Sequence, residues 1–466
     1  MAKKINIGEQ ELKKKAAKIS IMEGSAYSVM EGFGLQYITP YAIALGMSNT
    51  FIGWLSSLPG LIGNLAQIPG SKIIEKVSRK KIVITGVLLQ MFMWLPLLAV
   101  GLLAFFFKIP LLATSILLIL FYTLLVMFGA FAGPAWSSWM KELIEKNTDY
   151  YFAKRSMVAG IVGLICTSLA GVFLDYFTKF NFLIGFGVIF SMALIGRGLS
   201  AYLFTKQYEP KFQKVEGYYF SFFEFIKKMR YNNFGKFVMM LSAVSFAVAV
   251  ASPFFAVYML KDLGFSYTSY MAAVTGSIIL TLLSVPLWGK FGDKYGNIKI
   301  LKLCGTFIFI VPFLWMAITL IKMNNASLVL PYVIAIEAFS GFVWAGFNLS
   351  SGTFVYHAVT RQRLALCVAY SSILNSAGAF IGATLGGAIA SYSGNILGLK
   401  PLLFVFGLSA VLRFLAIVIF LPRIKEVREV KKFSFEDEFK KFVPKWPKHL
   451  FGNGTKREGF NVPVSH

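Results

Sequence analysis

Charge is scarce in this chain: only 14% of its 466 residues are Asp, Glu, Lys or Arg, and 57% are hydrophobic. A soluble globular domain carries roughly 25% charged residues, so a soluble protein is excluded. Cysteine is scarcer still. Cys166, Cys304 and Cys367 each lie in or beside an apolar run, with no metal-ligand spacing and no neighbouring histidine. They are expected to be packing residues. No nucleotide-binding loop, metal cluster or catalytic triad is found, which argues against an ATP-driven pump and against an enzyme, and no cofactor or metal is expected. The N-terminus lacks the short apolar core and small-residue cleavage site of a signal peptide, so no cleaved leader is expected. Acidic residues are few as well, 21 against 46 Lys plus Arg, for a net charge of +25. Such a surplus fits nucleic acid or a membrane, and placement must decide between them.

Apolar windows of about twenty residues predict helices near 19–45, 50–71, 82–107, 110–140, 153–175, 181–205, 236–260, 267–289, 300–321, 329–356, 366–391 and 400–421. The expectation is an all-α polytopic membrane protein with twelve transmembrane helices. With the N-terminus in the cytoplasm, Lys and Arg number six in the N-terminal arm, then 5, 4, 7, 4 and 2 in the cytoplasmic loops and 11 in the tail. The external loops hold only Lys108, Lys179, Lys261, Lys322 and Lys400. Positive charge therefore marks the cytoplasmic side and puts both termini there, in a multi-pass protein of the plasma membrane. Because the basic charge flanks membrane segments and forms no single face, nucleic acid is excluded as a partner; the lipid bilayer remains.

An internal duplication runs through the chain. At an offset of 218, Ala44-Leu-Gly-Met-Ser-Asn-Thr50 aligns with Asp262-Leu-Gly-Phe-Ser-Tyr-Thr268, and Ser71–Ser78 with Gly289–Gly296. Further on, offsets of 213 and 216 pair Ala132–Ser138 with Ala345–Ser351, and Arg197 with Arg413. The organisation read from this is a cytoplasmic arm (1–18), a six-helix bundle (19–205), a cytoplasmic linker (206–235), a second six-helix bundle (236–421) and a basic cytoplasmic tail (422–466). Within the linker, Tyr218–Arg230 mixes aromatics with cations and is expected to form a helix on the membrane surface. Two parallel six-helix repeats are a plan of secondary transporters, whose binding site lies between the halves near the midplane.

Between helices 8 and 9 stands Gly289-Lys-Phe-Gly-Asp-Lys-Tyr-Gly-Asn-Ile-Lys299. It resembles the cytoplasmic loop signature of the major facilitator superfamily, and the six-plus-six duplication extends the resemblance over some four hundred residues. The first-half copy departs from the signature, with Ser71, Glu75 and Ser78 in place of Gly, Asp and Gly. The resemblance implies alternating access between the two halves, with helices 1, 4, 7 and 10 lining the cavity. It also implies a cytoplasmic gate in which Asp293, beside Lys294, faces the start of helix 5 at Lys154 and Arg155, while Glu75 faces the start of helix 11. A carboxylate there can cap a helix of the opposite half. The alternative is a solvated charged loop.

Ionisable residues inside spans are functional hypotheses by default. Lys18 to Gly46 would measure about 42 Å as a helix, which puts Glu31 near mid-membrane and Glu23 nearer the cytoplasm, with Tyr27 between them at helical spacing. Their second-half counterparts, Ala249 and Leu241, are apolar, so the duplicated scaffold does not require these acids. Glu23 and Glu31 are candidates for proton coupling or substrate contact, against a structural hydrogen bond, and Glu337 is a third candidate near the external end of helix 10. Arg197 and Arg413 occupy equivalent positions and are expected to be structural. Gly378, Gly382 and Gly386 in helix 11, with Gly160 and Gly163 in helix 5, allow the close helix approach that rocking halves would use. Helix 5 lacks the Gly-Pro signature of the family's proton-linked drug exporters; Gly129-x-x-x-Gly133-Pro134 stands in helix 4 instead.

The inner parts of helices 1, 4, 7 and 10, roughly 20–45, 111–140, 237–260 and 331–356, contain Glu23, Glu31 and Glu337 and no Lys, Arg or His, together with aromatic and polar side chains such as Tyr27, Trp136, Trp344 and Asn348. An acidic or neutral cavity with aromatic walls suits a small neutral or cationic organic solute. The reading is a secondary active transporter, proton-coupled through the gradient and working as a monomer. Its rivals are a uniporter in which the acids are structural, and a transporter-like sensor or lipid-translocating protein.

Overall fold

The computed structural model describes residues 7–74, 76–144, 148–210, 220–360 and 363–430. Twelve helical spans follow one another, and no strand occurs among the described residues beyond an isolated bridge between Ile396 and Leu399. Span 1 comprises Ile7–Phe33, a 3-10 turn Leu35–Tyr37 and Ile38–Ala44; span 2 is Asn49–Ile73. Spans 3 to 6 are Arg79–Phe106, Leu111–Leu143, Thr148–Phe177 and Phe182–Lys206. Spans 7 to 12 are Asn233–Asp262, Tyr267–Tyr295, Asn297–Asn324, Ala326–Ala358, Leu364–Ala390 and Pro401–Phe420. Ten of the twelve are long and apolar enough to cross a membrane by length and composition. Spans 1 and 2 are outside those ten; the first is broken and carries two glutamates, the second carries Asn64, Gln67 and several serines.

The helix of span 1 starts at Ile7. The described part of the expected cytoplasmic arm is therefore three more turns of that helix, because Glu9 to Lys18 contains no helix breaker. In the linker, Phe222–Lys228 forms a short helix capped by Ser221, whose side chain accepts from the Glu224 amide; residues 211–219 lie outside the described set. Phe223 is exposed on this helix while Phe225 is buried against Phe234 and Tyr370, which ties the linker to the second half.

Four spans are interrupted, and each interruption precedes a proline, which has no N–H to donate to the carbonyl one turn back and whose ring crowds it. Span 3 breaks at Met93 before Pro96, and span 9 at Phe309 before Pro312, positions 216 residues apart in both cases. Span 1 breaks at Gly34–Tyr37 before Pro40, and span 7 at Val250–Ala251 before Pro253. The duplication is thus visible in backbone defects as well as in sequence.

Apolar packing reveals how the halves meet. Toward the ends of the spans away from the termini, one core runs across both halves, joining Tyr37, Tyr41, Trp94 and Phe190 to Phe254, Met271, Trp315 and Phe406. Toward the terminal side the core divides, with one cluster around Phe237, Trp288 and Phe354 and separate ones around Trp139 and Met140. The halves are fused on one side and parted on the other. All three cysteines are free and buried.

Candidate functional site

On the terminal side of the first half, Glu23 of span 1 is only 2% exposed. Burying a carboxylate is tolerated when charge and hydrogen bonds compensate it, and here both oxygens are met. Arg155 of span 5 donates from Nη2 to Glu23 Oε2 at 2.9 Å, and Ser200 Oγ of span 6 donates to Oε1 at 2.9 Å. Arg197 Nη1 donates to Ser200 Oγ at 3.1 Å and stands 4.0 Å from Oε1. The guanidinium of Arg197 lies over the Tyr27 ring at 5.0 Å, and that of Arg155 over Trp136 at 4.8 Å. Glu23, Tyr27, Trp136, Arg155 and Arg197 wall a cavity of about 250 Å³ floored by Gly129 and Gly133 of span 4.

This overturns the expectation of a cavity without cations. Spans 1, 4, 7 and 10 indeed supply none, but spans 5 and 6 deliver two arginines to the same wall. Arg155, expected at a gate with Asp293, belongs to this cluster. Arg197 and Arg413, equivalent in the repeat, differ in surroundings. Arg413 donates to Ser409 Oγ and to the Ile308 carbonyl, a structural role, whereas Arg197 joins the Glu23 cluster because only span 1 carries the acid.

Glu31, two turns further along span 1, is half-buried and makes no hydrogen bond or ion pair among the described residues. Glu337 in span 10 is likewise half-buried without such a partner, within electrostatic reach of the Tyr270 hydroxyl. Trp344 packs on Phe347 at 5.5 Å and Asn348 is exposed; both stand in the second half, away from the Glu23 pocket.

The contacts that close the molecule lie opposite the termini and were not foreseen. At the end of span 5, Asp175 accepts from the amides of Tyr267 and Thr268, each at 2.8 Å, and so caps the start of span 8 in the other half. At the end of span 11, Ser391 Oγ accepts from the Thr50 amide at 3.1 Å, at the start of span 2. The two latches are related by the repeat, since 175 and 391 differ by 216 and Thr50 and Thr268 by 218. Asn49 to Ala390, Trp54 to Thr384 and Asn64 to Ser372 extend the second seam along spans 2 and 11. The shared Ser-x-Thr of the repeat was the available sequence signal for these contacts.

At the terminal side the expected gate is apart. The side chain of Asp293 is 85% exposed and its nearest cation is Arg428, at 3.8 Å, from the segment after span 12. That segment is strapped to its own half: Arg428 donates to the Gly292 carbonyl at 2.9 Å, Glu426 accepts from the Ile298 amide at 2.9 Å, and Asn233 exchanges two bonds with the Lys425 backbone. Lys154 is exposed, Lys294 lies 4.7 Å over Tyr295, and Glu75 falls outside the described residues. Gly378, Gly382 and Gly386 also serve a different purpose from the one expected. A Cβ at any of them would strike carbonyls of span 7 within the same half, whereas Gly53 and Gly387 provide the close approach between halves.

Twelve spans in two related halves, fused at one side and opening a polar pocket toward the other, define a membrane transporter. The sequence profile described as Major Facilitator Superfamily matches residues 21–249 and again 237–455. The chain belongs to the major facilitator superfamily. It is similar to a protein of Lactococcus lactis subsp. lactis (strain IL1403) named as a multi-drug resistance efflux pump PmrA homolog, with 22% identity over 383 residues, covering 79% of this chain and 85% of that one. Among solved structures it is similar to a bacterial homologue of the iron transporter ferroportin in an inward-facing state, with a TM-score of 0.67, 13% identity, and 88% and 98% of the two chains covered. A variant of the nucleoside transporter NupG gives a TM-score of 0.66 at 13% identity, covering 89% of this chain and 100% of that one. At such identity these likenesses establish the fold alone.

Proposed function

We propose that this protein is a proton-coupled secondary transporter of a small organic solute, captured with its cavity open to the cytoplasm. The observation that carries the reading is Glu31: a carboxylate in the middle of a span, on the same face as Glu23 and Tyr27, without hydrogen bond or ion pair among the described residues. A bare charge at that depth is costly, and taking up a proton is the cheapest relief. Glu23, held by Arg155 and Ser200, has no such need, so the proton site is assigned to Glu31, with Glu337 and its neighbour Tyr270 a second polar point in the opposite half. The charge distribution of the loops favours both termini in the cytoplasm of a plasma-membrane protein. The likeness to an efflux pump favours export.

In inverted membrane vesicles loaded with this protein, an imposed proton gradient should drive solute uptake, and Glu31→Gln should insert normally yet lose gradient-driven accumulation while keeping solute exchange. Full accumulation by Glu31→Gln would remove Glu31 from the coupling, and no gradient-driven uptake by the unsubstituted protein would shift the reading to a uniporter.

A further inference from the structure

The cavity beside Glu23 has an uneven charge count. Two guanidinium groups, Arg155 and Arg197, face one carboxylate. Both Glu23 oxygens already accept hydrogen bonds, so the pocket has no free carboxylate to receive a cationic solute. Its unused groups are donors. Arg155 spends Nη2 on Glu23 and Nε on the Ser20 carbonyl, leaving Nη1 available, and the buried Nε of Arg197 has no acceptor among the described residues. A buried donor without an acceptor is costly, and surplus positive charge in a low-dielectric site attracts an anion strongly.

We propose that this pocket binds the anionic group of the solute, a carboxylate carried on a flat apolar or aromatic body, so that the transported molecule is an organic acid or zwitterion. The proposal rests on the transporter reading and names the class of solute for the same cavity. Guanidinium geometry suits a carboxylate through paired donors. The faces of Tyr27 and Trp136, each already stacked with an arginine, supply the flat walls. Gly133 opens the floor, since a Cβ there would meet no atom within 4 Å. A cavity of about 250 Å³ admits a body of one or two rings. Glu31 lies eight residues further along span 1, about 12 Å by helical rise, so proton and anion occupy separate places.

The test uses purified full-length protein in lipid nanodiscs, without any gradient, and three probes of one shape: 2-naphthoate, 2-naphthamide and 2-naphthylmethylammonium. Binding is followed by tryptophan fluorescence and calorimetry. The carboxylate should bind saturably, at least tenfold tighter than the amide, with the ammonium weakest. Arg155→Gln should weaken naphthoate at least tenfold and Arg155→Lys only a few-fold. Gly133→Leu, which fills the floor without touching a charge, should abolish binding while the protein stays monodisperse and helical. Equal binding of the amide, preference for the ammonium, no saturable binding of the carboxylate, or full binding by Arg155→Gln would each overturn the proposal. Glu31→Gln should bind naphthoate normally. Absence of any gradient-driven flux in the unsubstituted protein, with naphthoate binding intact, would therefore sink the coupling reading and leave this site standing.

Discussion

Two glutamates eight residues apart on span 1 have opposite surroundings. Glu23 is enclosed by Arg155, Ser200 and Arg197, whereas Glu31 stands without a partner among the described residues. Removing one member of a buried ion pair strands the other charge at a cost of about 3–5 kcal/mol. Glu23→Ala should accordingly lower the thermal unfolding temperature of the detergent-purified protein strongly, and Glu31→Gln should leave it nearly unchanged. Equal melting of the two variants would show that Glu23 is not the keystone described. That both acids are exceptional was legible in the sequence, because their repeat partners are apolar. The partners of Glu23 were not, since Arg155 lies 132 residues away and belongs to a span outside the four expected to line the cavity.

Within single elements, sequence was informative about where helices lie and less so about how they pack. The apolar windows locate all twelve spans but not the four breaks before Pro40, Pro96, Pro253 and Pro312; apolar content dominates a window of about twenty residues and hides one imino acid. The glycine stripe of span 11 is legible in the sequence but its partner is not, because periodicity names a face and not the helix it meets. Against span 7 the fit is close: a Cβ at Gly382 would overlap the Phe246 carbonyl oxygen. Backbone cannot yield as a side chain does, so Gly382→Val should destabilise the second half by about 1–3 kcal/mol or more. The check is the fraction of monodisperse protein after size-exclusion chromatography, with Gly133→Val as the tolerated control.

For the molecule as a whole, alternating access depends on seams that can part. The duplication read from sequence anticipated two related halves; it did not reveal which side is closed, because a repeat offers related contacts to both halves without saying which of them are made. Asp175 and Ser391 occupy equivalent places, but only Asp175 brings a charge to the helix start it caps. Loss of a cap costs roughly 1 kcal/mol, which shifts a two-state balance about fivefold. In Asp175→Ala, a cysteine placed at Ile389, half-buried on the span 11 flank of the seam, should react several-fold faster with an impermeant thiol reagent added on the side opposite the termini. An unchanged rate would place the restraint elsewhere, on spans 2 and 11. The native thiols decide how cleanly such probes can be used. Cys166, Cys304 and Cys367 are all buried, so the natural chain is close to its own blank for spectroscopy. A pair of spin labels at the exposed Phe180 and Asn324, one in each half, would report the distance across the end opposite the termini without first stripping the protein of cysteine.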